Sequence, residues 1–344
     1  MPEAAPTLAP DSRVLIVRLG SMGDIVHALP AVHALRRRFP QARLDWLVER
    51  KWAPLLECAA VASNVLPLDR DSWGALWQAI RGLRRTRYDW AIDFQGLYKS
   101  AVCAWLSGAA RRIGHGQTRE GGASQFYTLS VATTLNLHVA HMHLTLANVL
   151  GATDGLPVFP EFTTPPAAEA FADRALAEHR LDKFYAVSPG GGWRSKLWPA
   201  EEYGHLHRRL AERYGLRAVV SFGPGEKALA ESLRMVAGDP PPVVLTMDIP
   251  QLIAVLRRCE FFVGADTGPL HLAAALGRPV VALFGPTDPL RNGPVGTQHI
   301  VIRNAAQAET TYKRGDHYSA AMQSIRVEQV LDAVARVLRN GRHG

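Results

Sequence analysis

Four short segments of this 344-residue chain set glycines and charged or hydroxyl side chains directly after apolar, strand-like runs. The first is Leu19-Gly20-Ser21-Met22-Gly23-Asp24, which follows RVLIV. Its glycines are three apart and no third follows, so it is not a dinucleotide fingerprint; nor does it end in the Gly-Lys-Ser/Thr of a P-loop. It delivers one carboxylate, Asp24, to a helix start, either as an N-cap for free backbone N–H groups or as a functional acid on the rim where a cleft opens. The second is SPGGGWRSKLWP, Ser188 to Pro199. Three glycines let the backbone approach a ligand or form a nest of N–H donors; Lys196 adds a compact positive charge suited to phosphate. A flexible surface loop is the alternative.

The third segment, Gly264 to His271 (GADTGPLH), runs from a strand end into a helix start, whose N–H groups attract anions. Asp266 and Thr267 are caps or part of an anion seat, and His271 falls one turn beyond Thr267 on the same face. With Lys196 added, a diphosphate seat is the better joint reading. Asp288, in the later turn FGPTDP, reads as a turn residue. The fourth segment, SFGPGE, ends in Glu226, either a ribose ligand near a strand end or a helix-start acid. No set of metal ligands is present: His141 and His143 are two apart and diverge on a helix. No G-x-S-x-G elbow marks a hydrolase. Cys58, Cys103 and Cys259 are scattered, without disulfide or zinc spacing.

The elements that must hold these segments alternate between strand and helix. In the N-terminal half, strands are expected at RVLIV, around Leu44 to Val48, at Val65-Leu66, at Trp90 to Phe94 and at Arg112-Ile113. Helices are expected over Ile25 to Arg38, where Pro30 predicts a kink or a broken first turn, over Trp73 to Arg85 and over Tyr98 to Leu106. The Pro- and Gly-rich stretch GATDGLPVFPEFTTPP breaks the rhythm, which restarts at Phe184 and repeats through PVVALFG. Such alternation signals doubly wound parallel sheets. The expected domains are residues 12–165, residues 166–325, and a last helix in residues 326–344 that packs back on the first domain.

Composition narrows the class. Apolar residues make up 47% and charged residues 20%, which fits a globular chain. No apolar run reaches membrane-spanning length. The first ten residues lack the basic and apolar regions of a signal peptide and read as a disordered lead-in. The net charge of +8, from 39 Lys+Arg against 31 Asp+Glu, favours anionic partners. The arginine groups (Arg36 to Arg38, Arg84-Arg85, Arg111-Arg112, Arg208-Arg209, Arg257-Arg258) often close helices, where cations are favoured. They lack the interleaved aromatics of a nucleic-acid surface.

Taken together, RLGSMGDIVHALPAV, SPGGGWRSKLWP, SFGPGEK and GADTGPLHLAAALGRPVVALFGPTDP resemble the lipopolysaccharide heptosyltransferases, glycosyltransferase family 9, from Arg13 to the last helix. The resemblance implies a GT-B fold, two facing Rossmann-like domains with parallel sheets and a cleft between them. It implies inverting transfer of heptose from ADP-heptose to an inner-core lipopolysaccharide acceptor, of type I or II, releasing ADP and requiring no cofactor or metal. Asp24 is then the catalytic base. Lys196 meets the diphosphate, Glu226 the ribose and Met247, in VLTMD, the adenine. Asp266, Thr267, Gly268 and His271 form the diphosphate seat, while Gly23 and Arg119, in QTRE, lie on the acceptor side. A cytoplasmic monomer that touches the inner membrane peripherally and binds an anionic glycolipid, not nucleic acid, is expected. GGGWRS departs from the plainer loop of some members, and residues 303–324 carry no family signal. The alternatives are another nucleotide sugar as donor, a sugar-nucleotide epimerase, or a non-catalytic nucleotide- or glycolipid-binding protein.

Overall fold

The computed structural model describes residues 7–69, 73–118, 120–133, 137–152, 155–306 and 309–340. The chain divides between Thr163 and Thr164, inside the Pro-rich stretch, into two compact units. The first comprises β1 (Arg13–Val17), α1 (Met22–Arg38), β2 (Arg43–Glu49), α2 (Ala53–Ala59), β3 (Asn64–Leu68), α3 (Trp73–Thr86), β4 (Trp90–Asp93), α4 (Tyr98–Leu106), β5 (Arg111–His115), β6 (Leu129–Val131) and α5 (Val139–Val149). The second comprises α6 (Pro166–Glu178), β7 (Phe184–Ser188), α7 (Ala200–Tyr214), β8 (Arg217–Ser221), α8 (Lys227–Ala237), β9 (Val243–Leu245) and α9 (Ile249–Leu256). It continues through β10 (Phe262–Ala265), α10 (Gly268–Ala275), β11 (Val280–Phe284), α11 (Pro289–Asn292), β12 (His299–Arg303), α12 (Ala320–Gln323) and α13 (Val327–Asn340).

Each unit is built on a six-stranded parallel sheet. The strand orders are β3-β2-β1-β4-β5-β6 and β12-β11-β10-β7-β8-β9, the same order when each is counted from its own first strand. Helices on both faces bury the central strands twice over, which is why β11, VVALF, reads as an unbroken apolar run rather than an alternating one. In the first unit Leu15 and Val17 face one cluster with Leu83 of α3 and Ala104 of α4. The order reverses between β1 and β4, and between β7 and β10; loops leaving the carboxyl ends of such pairs are where ligands bind in this architecture.

Two expectations are corrected. Helix α1 begins at Met22 and runs unbroken through Pro30 to Arg38. Ser21 and Asp24 secure its first turn, and burial of Ile25, Val26, Leu29, Val32 and Leu35 offsets the hydrogen bond that Pro30 cannot donate. Within the expected lead-in Leu8 is anchored, buried and donating its N–H to the Leu150 carbonyl, while Thr7, Ala9 and Pro10 are exposed and residues 1–6 lie outside the described residues. In α13, Val327, Val330, Leu331, Val334 and Val337 lie in the core of the second unit with Tyr185, Leu206 and Leu283. Its apolar stripe is built into the core of that unit. The sequence reading also missed β6 and β12, short edge strands whose half-exposed residues give a weak apolar signal.

Several arginines act as structural clamps. Arg258 reaches from beyond α9 to Glu169 and Asp173 of α6 at 2.8 and 2.7 Å. Arg36 donates to the carbonyls of Pro40 and Ala42. Replacing Leu331 by Ala is expected to destabilise the chain by about 2–4 kcal/mol, the range for an aliphatic side chain deleted from a packed core. Urea unfolding monitored by circular dichroism reads this directly; a cost under about 1 kcal/mol would place the stripe of α13 outside the core.

Candidate active site

In the first unit the chain leaves β1 through Arg18 to Ser21 and enters α1. Asp24 is not the N-cap itself. Ser21 occupies that position, and Asp24, three residues on, accepts from the Ser21 N–H at 3.0 Å and hydroxyl at 2.9 Å. The other carboxylate oxygen pairs with the Arg18 guanidinium at 2.7 Å. Arg18 is buried, while 46% of the Asp24 side chain remains exposed, so a fixed cation orients a carboxylate that solvent or substrate can still reach.

The loop after β4 supports this arrangement. Arg18 also donates to the Phe94 carbonyl at 2.9 Å, and the Leu19 N–H donates to Gln95 Oε1 at 2.9 Å. That loop is anchored by Asp93, fully buried, which accepts from Tyr127 and Ser100 hydroxyls and from the Gln95 and Gly96 N–H groups. Burial pushes the Asp93 carboxyl above its ordinary range, against the four donors. Gly20 lies against the Trp52 indole, where an added Cβ would come within 2.9 Å of Nε1. Asp24 is thus held by two loops that meet at the strand-order reversal.

In the second unit the corresponding reversal carries a buried charge cluster. Asp266, just past β10, accepts from Lys196 Nζ and Thr287 Oγ1, each at 2.7 Å, and from His271 Nε2 at 2.9 Å. Burial alone would raise the Asp266 carboxyl, but the His271 hydrogen bond and the Lys196 charge outweigh it and hold it well below the usual carboxylate range. An ionised Asp266 accepts only, so His271 must carry its proton on Nε2. Asp266 is therefore a counter-ion that aims Lys196, not itself a ligand for another anion. Thr267 is the N-cap of α10 and Gly268 its first residue; the Thr267 hydroxyl is buried with no hydrogen-bond partner in the structure.

The glycine loop is closely packed at its first two glycines, while Gly192 is open. A Cβ on Gly190 would fall 1.8 Å from Glu226 Oε2, and one on Gly191 would fall 2.6 Å from Thr267 Cγ2. Glu226 lies against the Gly190 backbone and accepts from the Gly223 N–H at 2.7 Å. Of the two tryptophans, Trp198 is buried and donates to the Ile325 carbonyl at 2.9 Å, while the Trp193 ring lies 4.5 Å from Lys196 Nζ. One anchors the loop; the other steers its lysine.

The structure brings Lys196, Asp266, Thr267, Gly268 and His271 together, with Glu226 beside them across Gly190. Met247 is half-buried in the loop after β9, two strands from β7. Gly23 is buried in the first turn of α1. Arg119 lies outside the described residues. Sequence reading missed Arg18, Asp93, Gln95 and Thr287: the first looks like a strand end, the others like ordinary loop residues. Asp288, read as a turn residue, caps α11 by accepting from the Leu290 N–H. Burial pushes the Cys259 thiol up to about 12, so it is inert at neutral pH. Among the described residues no three His, Cys, Asp or Glu side chains are grouped to hold a metal.

A sequence profile described as "Glycosyltransferase family 9 (heptosyltransferase)" matches residues 76–321. The chain belongs to this family. Lipopolysaccharide heptosyltransferase 1 of Escherichia coli K12 is 33% identical over 318 residues, 85% of this chain and 93% of that protein. Among solved structures, the E. coli heptosyltransferase WaaC with ADP superposes at a TM-score of 0.74 with 26% identity, over 94% of this chain and 99% of that one. E. coli ADP-heptose heptosyltransferase II does so at 0.80 with 21% identity, over 96% and 99%. The fold class is accordingly α/β with GT-B architecture, and the protein is a glycosyltransferase of the heptosyltransferase family.

Asp266 supplies a pH signature. Its carboxyl is depressed in the folded state, so it stabilises the fold above about pH 4 and that contribution fades as pH falls further. Asp266→Asn is expected to cost about 3 kcal/mol at pH 7, where the partly enclosed Lys196 loses its partner. Denaturant titrations at several pH values should show the gap from the unsubstituted protein narrowing below about pH 4; a gap that stays constant would remove the charge cluster as its cause.

Proposed function

We propose that this heptosyltransferase transfers heptose from ADP-heptose to a lipopolysaccharide inner-core acceptor with inversion at the anomeric carbon. The observation that carries the reading is the Lys196–Asp266–His271 cluster beside the glycine backbone, a cation held in place by a buried counter-ion at a strand-order reversal. The loops after β10, β7, β8 and β9 succeed one another in the sheet, bearing in turn Asp266, Lys196, Glu226 and Met247. At about 5 Å per strand they span roughly 14 Å, the reach of a nucleoside diphosphate. Diphosphate is assigned to Lys196 and the α10 start with Thr267 and Gly268, ribose to Glu226, and adenine to Met247. The solved relative with bound ADP supports the donor choice.

Asp24 is assigned as general base. It takes the acceptor hydroxyl proton while the oxygen attacks the anomeric carbon opposite the leaving ADP, which inverts that centre. Lys196 and backbone N–H groups stabilise the diphosphate as the glycosidic bond breaks. Arg18 acts through Asp24, fixing its rotamer. Gly23 and Arg119 belong to the acceptor side, where arginine suits phosphate or carboxylate. The similarity to lipopolysaccharide heptosyltransferase 1 of E. coli favours the type I reading. A lipid-linked acceptor places the enzyme at the cytoplasmic face of the inner membrane as a peripheral protein.

Two substitutions separate donor binding from chemistry. Asp24→Asn is expected to lower kcat by about 10²–10⁴-fold while leaving ADP affinity unchanged, measured with ADP-heptose and inner-core glycolipids with and without a first heptose. Equal rates for both proteins would remove Asp24 as the base. Gly190→Ala should push Glu226 aside and weaken ADP binding about tenfold, about 1.4 kcal/mol, by calorimetry. Unchanged ADP affinity in that variant would remove Glu226 from the donor site.

A further inference from the structure

The first unit carries an aromatic and basic surface that its fold does not consume. Trp77 of α3 is 61% exposed, and Tyr98 and Trp105 of α4 are 52% and 49% exposed. Phe126 joins the latter two, its ring 5.2 Å from Tyr98 and 6.0 Å from Trp105, both edge-on. Along α3, Trp77, Arg81, Arg84 and Arg85 recur at helical spacing on one side, while Leu83 turns into the core. Arg84 donates through Nε to the Leu106 carbonyl at 3.0 Å and fastens the end of α3 to the end of α4. Lys99 adds another exposed cation on α4. Neither helix contains an Asp or Glu.

We infer that this face docks on an anionic lipid bilayer, an inference that names a surface for the lipid-linked acceptor proposed above. A core does not need three half-exposed tryptophan and tyrosine rings on neighbouring helices, whereas such rings settle at the headgroup level of a membrane. Arginine and lysine beside them lie at the height of lipid phosphates, with their aliphatic stems along the apolar ridge. Neither helix adds an acid of its own; the exposed Glu120 carboxylate at the start of α4 accepts from the Tyr98 N–H at 2.6 Å, and Arg81, Arg84, Arg85 and Lys99 outnumber it against a negatively charged leaflet. No helix among the described residues is long and apolar enough to cross a membrane, so the contact is a surface contact. None of these side chains belongs to the donor cluster or touches Asp24.

The full chain is sedimented with vesicles of phosphatidylcholine alone or of an equimolar phosphatidylcholine–phosphatidylglycerol mixture, with no acceptor present. Binding to the anionic vesicles only, weakened by salt, is expected. Arg81→Gln with Arg85→Gln should lower the partition coefficient tenfold or more, since each basic residue near such a surface counts for about a fivefold factor. Trp77→Ser with Trp105→Ser tests the aromatic part, and melting curves confirm that both doubles fold. Transfer to a de-acylated, water-soluble acceptor should be unchanged in both. No binding by the unsubstituted protein, equal binding to neutral vesicles, or equal binding by the doubles would overturn the assignment. Vesicle binding as expected supports the docking face even where transfer to every glycolipid fails, which would count against the acceptor reading alone.

Discussion

A carboxylate withdrawn from water must be met by positive charge and hydrogen-bond donors, and Asp266 imposes that constraint on the second unit. Its partners come from two loops and a helix: Lys196 after β7, Thr287 after β11, and His271 in α10. Satisfying one buried anion therefore draws three strand ends into register. It also leaves a lysine whose head is fixed in direction yet not wholly enclosed, 17% exposed. A cation on a free four-carbon stem would lose side-chain entropy on meeting a phosphate. Here most of that ordering is done when the chain folds.

The first unit solves a related problem with the charges exchanged. The buried group is a cation, Arg18, and the exposed partner is the acid, Asp24. Arg18 is held in turn by the Phe94 carbonyl, and the β4 loop by the four donors around Asp93. Raising the carboxyl range of Asp93 disfavours its charged form, so those donors offset a burial penalty and do not make the group strongly acidic. The contrast with Asp266 is instructive: both are buried, but only Asp266 has a lysine and a histidine against it.

Both clusters stand at the same place in the same strand order. The reversal between the first and fourth strands opens the helices on either side, so the loops leaving those two strands can reach one another without crossing a helix. Small residues are needed where they do. Gly20 meets the Trp52 indole, and Gly190 lies against the Glu226 carboxylate, so close approach of backbone to side chain fixes glycine at both positions.

Much of this was legible from residue types and spacing. The alternation of apolar runs with helical stripes implied parallel sheets, because only crossover helices bury strands on both faces. SMGD, SPGGGWRSK and ADTGPLH marked the loops that bear Asp24, Lys196, Asp266 and His271. The chain by itself placed Asp24 at a helix start; that Ser21 is the N-cap and Asp24 accepts from it three residues on was seen only in the structure. The chain did not reveal that Arg18 pairs with Asp24, that Gln95 holds Leu19, or that Thr287 completes the Asp266 shell, since the last two pairs lie 76 and 21 residues apart. Nor did periodicity tell α13 which core to join; an apolar stripe states that a helix is buried, not against what. Those choices were decided by the sheet order, which sets which strand ends, and therefore which charges, become neighbours.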